Sequence, residues 1–80
     1  MTTKTVLSPL PGIFYRKPSP EDPVYKAEGE PCETGAVIGL VEVMKSFHEV
    51  KSDVDGTVVK FLVNDEEAVV AGQPLMEVEE

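Results

Sequence analysis

Glu42-Val43-Met44-Lys45-Ser46-Phe47 lies between an apolar run, Val37 to Val43, and a mixed run, Phe47 to Lys51. The pattern reads as two strands joined by a tight two-residue turn. Such a hairpin asks for positive φ at its central positions and favours Asn-Gly or Asp-Gly there. Met44 and Lys45 are poor choices on that criterion. A turn that ignores its own conformational preference points to side chains needed for function, with the surrounding sheet holding a strained backbone. Spacing alone leaves a second reading equally open, in which Lys45 is an ordinary solvated turn lysine.

Outward from this hairpin the chain alternates short β-type runs with turn residues. Towards the C-terminus, Ser52 to Gly56 is a turn and Thr57 to Val63 a strand rich in β-branched residues. Asn64-Asp65-Glu66 turns the chain, Ala68 to Val70 is a short apolar piece, and Gly72-Gln73-Pro74 leads into a last strand, Leu75 to Val78. Towards the N-terminus, Thr5 to Leu7 and Ile13 to Tyr15 read as short strands around Pro9 and Pro11, which confine their stretch to an edge or a bend. Arg16 to Pro23 holds Pro18, Pro20 and Pro23 and is excluded from a central strand or helix interior. Val24 to Lys26 resumes the β pattern, and Glu28-Gly29-Glu30-Pro31 is turn chemistry. No window carries a helical stripe, so the expected class is all-β.

An internal repeat organises these runs. Gly35 to Glu42 lines up with Gly72 to Glu79 at an offset of 72 − 35 = 37, and Gly12 before Ile13 lines up with Gly56 before Thr57 at an offset of 56 − 12 = 44. The first half therefore carries 44 − 37 = 7 extra residues, which fit in the proline-rich stretch Arg16 to Pro23. Glycines before apolar strands also recur by chance. A real repeat implies two similar halves packed about a pseudo-twofold axis into a flattened sandwich or barrel, with Lys45 at their junction.

Composition narrows the function. Eighty residues make one domain, residues 1–80, too small for a catalytic cleft and a second subdomain. A net charge of −8 with only 7 Lys plus Arg argues against nucleic-acid binding, since phosphates need a basic face. The acidic surface suits a monomeric module that visits protein partners, or serves solubility alone. No apolar run approaches a membrane span. Met1 to Lys4 is followed by no apolar signal core. The single cysteine, Cys32, forms no internal disulfide and reads as a small apolar residue. A reducing cytoplasm is the expected location. His48 is the only histidine and has no metal-ligand companions. No Ser/His/Asp set or glycine-rich phosphate loop is present, so catalysis by the domain alone is not expected.

The residues Glu42, Met44 and Lys45 after an apolar strand resemble the biotin-attachment turn of the biotin carboxyl carrier family. Ser8-Pro9-Leu10, Gly12, Phe14-Tyr15-Arg16, Pro18-Ser19-Pro20, Gly35, Gly56 and Gly72 with Pro74-Leu75 extend the resemblance over nearly the whole chain. The segment Gly12 to Pro20 is its most specific part and resembles the protruding thumb of bacterial-type acetyl-CoA carboxylase carriers, here an insertion at about residues 16–23. The family usually has Ala at the place of Val43, Met or Leu at Ser46, Asn at His48, a small polar residue at Lys17 and a glycine near Glu66. The resemblance implies a barrel-sandwich of two related halves and biotin attached covalently to Lys45. Met44 and Glu42 would then be read by a biotin protein ligase. A biotin carboxylase and a carboxyltransferase would be the partners between which carboxybiotin is shuttled, in an acyl-CoA carboxylase of fatty acid biosynthesis. A lysine ammonium, with an ordinary pKa of about 10.4, is a poor nucleophile at neutral pH. Acylation would fall to the separate ligase. A lipoyl carrier on the same fold and an unmodified β-sandwich interaction module are the other readings. Met44 argues against the lipoyl one, whose turns usually place Asp before the lysine.

Overall fold

Short apolar runs broken by glycine and proline turns build eight strands, with no helix, over residues 2–80, the part of the chain that the computed structural model describes. They are β1 (Thr3–Leu7), β2 (Gly12–Tyr15), β3 (Pro31–Cys32), β4 (Val37–Val43), β5 (Ser46–Lys51), β6 (Gly56–Phe61), β7 (Glu67–Val69) and β8 (Pro74–Glu79). Two four-stranded antiparallel sheets result, in the orders β1-β8-β6-β3 and β5-β4-β2-β7. Extents of 38 × 27 × 20 Å describe a flattened sandwich.

Adding four to each strand number of the first sheet, and wrapping round, yields the second. The two halves of the chain are therefore equivalent, and they are interleaved: each sheet takes two strands from each half. The offsets of 37 and 44 hold at the level of single hydrogen bonds. Ser8 N–H donates to Gln73 O at 2.9 Å and Ser52 N–H donates to Ala36 O at 2.9 Å. Gly72 N–H donates to Ser8 O and Gly35 N–H donates to Ser52 O, both at 2.7 Å. Ser8 and Ser52, the buried polar residues, each also turn Oγ onto a carbonyl two residues ahead, Leu10 O and Val54 O. Burying a hydroxyl without such a partner is costly, so these bonds make serine tolerable inside the fold.

The core obeys the same symmetry. Val6 with Val50, Phe14 with Val58, Cys32 with Val69, Ile38 with Leu75 and Val41 with Val78 are equivalent pairs, all buried. Complete burial of such side chains stabilises by about 1.5–3 kcal/mol each. Cys32 thus stands where the other half has valine, as the apolar reading expects. One pair differs in size and its surroundings compensate. Beside Phe14, whose Cε1 lies 2.5 Å from where a Cβ would be, the chain has Gly39. Beside the smaller Val58 the equivalent position is Met76. Gly12 and Gly56 permit a closer approach still. A Cβ on Gly12 would stand 2.2 Å from Glu42 O, and one on Gly56 would stand 2.3 Å from Glu79 O.

Three sequence expectations change. Pro31, read as the end of a turn, opens β3 with Cys32, an edge strand; two residues are too few for a periodic signal, and an edge tolerates proline. The strand expected over Thr57 to Val63 ends at Phe61. Val24 to Lys26 forms no strand, because β2 already has β4 on one side and β7 on the other and offers it no edge. The first half's extra residues instead leave the sheet after Tyr15 as a loop, closed at its base by Tyr25 N–H donating to Arg16 O at 2.9 Å.

Replacement of Gly12 by Ala is expected to cost about 2–3 kcal/mol, and Gly56→Ala a similar amount, because in both a methyl group meets backbone that is fixed in a sheet. Urea denaturation measures both, and symmetry requires the two losses to agree within about 1 kcal/mol.

Candidate functional site

The hairpin between β4 and β5 closes with Val43 paired to Ser46, leaving Met44 and Lys45 as the two central residues. Their φ values are +49° and +69°, both in the left-handed region. This is the backbone of the turn that normally carries Asn-Gly, and each L side chain there costs about 1–2 kcal/mol. Met44 is 94% exposed and Lys45 is exposed. The salt bridge found among the described residues, Lys51 to Glu49, does not involve the Lys45 ammonium. The tip therefore holds an accessible amine and a bare thioether side chain on a rigid two-stranded stem.

Glu42 and Phe47 face each other across the stem, and Ile13 of β2 flanks Glu42 on the other side. Tyr15 Oη donates to Glu42 Oε1 at 2.9 Å, and the Tyr15 and Phe47 rings are tilted at 56° with centroids 5.9 Å apart. Glu42 thus has one carboxylate oxygen engaged inside the domain and its side chain half-buried. The loop after Tyr15 folds back beside this row. A cleft of about 250 Å³ lies between its residues Lys17 to Pro20 on one wall and Tyr15, Phe47, Asp65 and Glu66 on the other.

Arg16 anchors the loop. Its N–H donates to Asp65 Oδ1 at 2.8 Å, its guanidinium lies 4.0 Å from the Phe61 ring centre, and its Nη2 donates to Lys26 O at 3.3 Å. The loop tip is a turn in which Ser19 Oγ donates to Asp22 Oδ2 and Asp22 N–H donates to Ser19 O. Glu66, at φ +65°, occupies the place that Gly29 holds at φ +87° in the first half. Both donate their N–H to an equivalent carbonyl, Phe14 O and Val58 O.

Two phenols in this region hold their protons more tightly than the ordinary tyrosine. The hydrogen bond to Glu42 is the main cause at Tyr15, followed by burial and the charges of Glu42, Glu66 and Asp65. Burial is the main cause at Tyr25, followed by the charges of Glu49 and Asp22. His48 is exposed, and no cluster of three metal-ligating side chains occurs among the described residues.

Sequence reasoning singled out Glu42, Met44 and Lys45, and the hairpin brings them to one end of the sandwich. It missed the supporting set of Tyr15, Phe47, Arg16 and Asp65. Tyr15 lies 27 residues from Glu42, and Arg16 lies 49 from Asp65. Only the β2–β4 register and the packing of the 64–66 turn against the loop base make these contacts. The glycine missing near Glu66 was the one signal available.

The geometry is that of a strand-exchanged sandwich with one lysine on a strained, exposed hairpin tip. The chain belongs to the biotin/lipoyl attachment family, described as "biotin-requiring enzyme", which matches residues 4–78. It is 38% identical over 73 residues to the biotin carboxyl carrier protein of acetyl-CoA carboxylase from Nostoc, covering 91% of this chain and 40% of that protein. It is also 38% identical over 74 residues to the protein of that name from Haemophilus influenzae, covering 92% of this chain and 48% of the relative. The chain therefore spans less than half the length of these curated relatives. Among solved structures, the fold is similar to part of the Kluyveromyces lactis urea carboxylase, with a TM-score of 0.78 at 23% identity over 99% of this chain and 6% of that one.

Joint replacement Met44→Asn with Lys45→Gly is expected to raise stability by about 1–2 kcal/mol in denaturant titrations, since it supplies the residues the turn geometry prefers. The raised phenol pKa values set the alkaline limit. Above the ordinary tyrosine value of 10.0 the folded chain binds more protons than the unfolded one, so stability is fully present below about pH 10 and falls as pH rises through the folded values. Tyr15→Phe is expected to flatten that fall, as read from denaturation midpoints against pH.

Proposed function

We propose that this domain is the biotin carrier of an acyl-CoA carboxylase, with biotin joined to Nζ of Lys45. The observation that carries this reading is the Met44-Lys45 tip, where two residues unsuited to the turn are held in left-handed backbone and left exposed, in a chain similar to biotin carboxyl carrier proteins along nearly its whole length. Stability alone would select other residues at both positions.

Among the described residues Lys45 is exposed and takes part in no salt bridge. A biotin protein ligase, bringing biotinyl adenylate, would form the amide bond at Nζ with departure of AMP. Met44 offers that ligase an apolar contact, and Glu42 an oriented charge on the adjoining strand. When bound, the ureido ring of biotin supplies the atom that accepts and releases the carboxyl group. The residues of this chain contribute position. The β4–β5 stem fixes the Lys45 backbone, and its flexible side chain lengthens the tether. Confinement on one tether makes encounter with each successive active site effectively intramolecular. A biotin carboxylase and a carboxyltransferase, meeting the domain in the cytoplasm, are the partners this role requires. The domain is a carrier in that cycle and performs neither chemical step.

Incubation with a biotin protein ligase, biotin and ATP is expected to add one biotin to the intact mass of the chain and none to the Lys45→Ala variant. No adduct on the wild-type chain, or an adduct that survives Lys45→Ala, would overturn the assignment. A lipoyl adduct under a lipoyl ligase instead would transfer the domain to the other carrier class.

A further inference from the structure

The repeat gives the domain two equivalent ends, and this provides an internal control for what the lysine end contains beyond the needs of the fold. At the lysine end Glu42 sits between Phe47 and Ile13 across three strands. At the other end the equivalent residue is Glu79, between Thr3 and Thr57 in the same register. The glutamate and its backbone role are common to both ends: Glu42 O faces Gly12 as Glu79 O faces Gly56. The flanks are not. Phe47 and Ile13 replace two threonines, and Tyr15, which holds the Glu42 carboxylate, has Val59 at the offset of 44 and, after a register shift in β6, Lys60 at the equivalent pairing; neither carries a ring or a hydroxyl. The sandwich thus closes without an aromatic clamp at one end and has one at the end bearing Lys45. Phe47 is 58% exposed and packs its ring against Tyr15 beside the exposed Met44-Lys45 tip.

We propose that Tyr15 is a positioning residue for modification of Lys45: its hydroxyl and ring, with Phe47, hold the Glu42 carboxylate in one orientation, so that the enzyme acting on Lys45 meets a preset acceptor on the stem and distinguishes this end from its pseudo-equivalent. The inference rests on the carrier reading above and adds to it the residue that sets recognition. Fixing one oxygen of Glu42 in a 2.9 Å hydrogen bond leaves the second for the partner. Loss of the clamp frees the side chain, and binding must then order it again. The effect is expected in KM more than in kcat, because Tyr15 touches no reacting atom.

The test uses the intact chain with a biotin protein ligase and steady-state kinetics. Tyr15→Phe keeps the ring packed on Phe47 and removes only the donor; kcat/KM is expected to fall about three- to tenfold, mostly through KM. Glu42→Gln is expected to produce a loss of its own, and adding Tyr15→Phe to it no further loss, since the two residues act through one hydrogen bond. Glu79→Gln, at the other end, is expected to be modified at the wild-type rate. Thermal midpoints verify that each variant is folded, and the kinetics of Glu42→Gln decide the matter should Tyr15→Phe be unstable. A wild-type kcat/KM in Tyr15→Phe, or losses that simply multiply in the double variant, would overturn this inference and leave the carrier assignment standing. A wild-type chain that accepts no biotin would remove the carrier assignment, and this inference with it.

Discussion

Neither half of this chain closes its own core, and the fold rests on that constraint. Each half lends strands to the other's sheet, so the apolar faces of β2 and β4 are completed by β5 and β7, and those of β6 and β8 by β1 and β3. Within each half two strands approach closely, Gly12 of β2 meeting the backbone of Glu42 in β4 and Gly56 of β6 meeting that of Glu79 in β8 without the room for a methyl group. Ser8 and Ser52 tie the loops of one half to those of the other through paired backbone hydrogen bonds. Strand exchange of this kind makes the core a property of the whole domain, and it explains how so small a protein buries twelve apolar residues in one cluster.

A rigid body of this kind can carry strain at its surface. The left-handed Met44 and Lys45 are tolerated because the strands on either side of them are fixed by pairing: β4 is flanked by β5 and β2 and cannot relax to suit the turn. The domain thus holds an unfavourable local conformation at the Met44-Lys45 tip. The loop after Tyr15 follows a similar logic. Its tip is exposed and proline-rich, yet its base is fixed by Arg16, whose backbone bonds to Asp65 and whose guanidinium lies on Phe61 of the opposite sheet.

The two halves depart from symmetry at a few places. The first half has a loop where the second turns directly through Asp65 and Glu66. The lysine end has Tyr15 and Phe47 where the other end has Val59 and Thr3. Elsewhere many contacts repeat, down to the paired hydrogen bonds of Ser8 and Ser52, although β6 shifts register against β8 between Val58 and Lys60 where β2 keeps its register with β4, and Phe14 beside Gly39 has Val58 and Met76 as its counterparts. The aromatic differences and the extra loop lie at the end that carries the β4–β5 hairpin, in an otherwise nearly twofold object.

Strand positions, the two-residue turn, the repeat with its two offsets and the place of the extra residues were legible in the sequence by itself, because alternation, turn chemistry and glycine spacing are local signals that adjacent residues impose on the backbone. The lysine at the junction followed from the same spacing. Tertiary structure alone decided that the halves interleave rather than lie side by side, that Pro31-Cys32 is a strand while Val24 to Lys26 is not, and that Tyr15 holds Glu42. Each of these depends on which sheet edges remain free and on register between segments tens of residues apart. Such pairing is selected by the energy of the assembled core, and no short window of residues contains it.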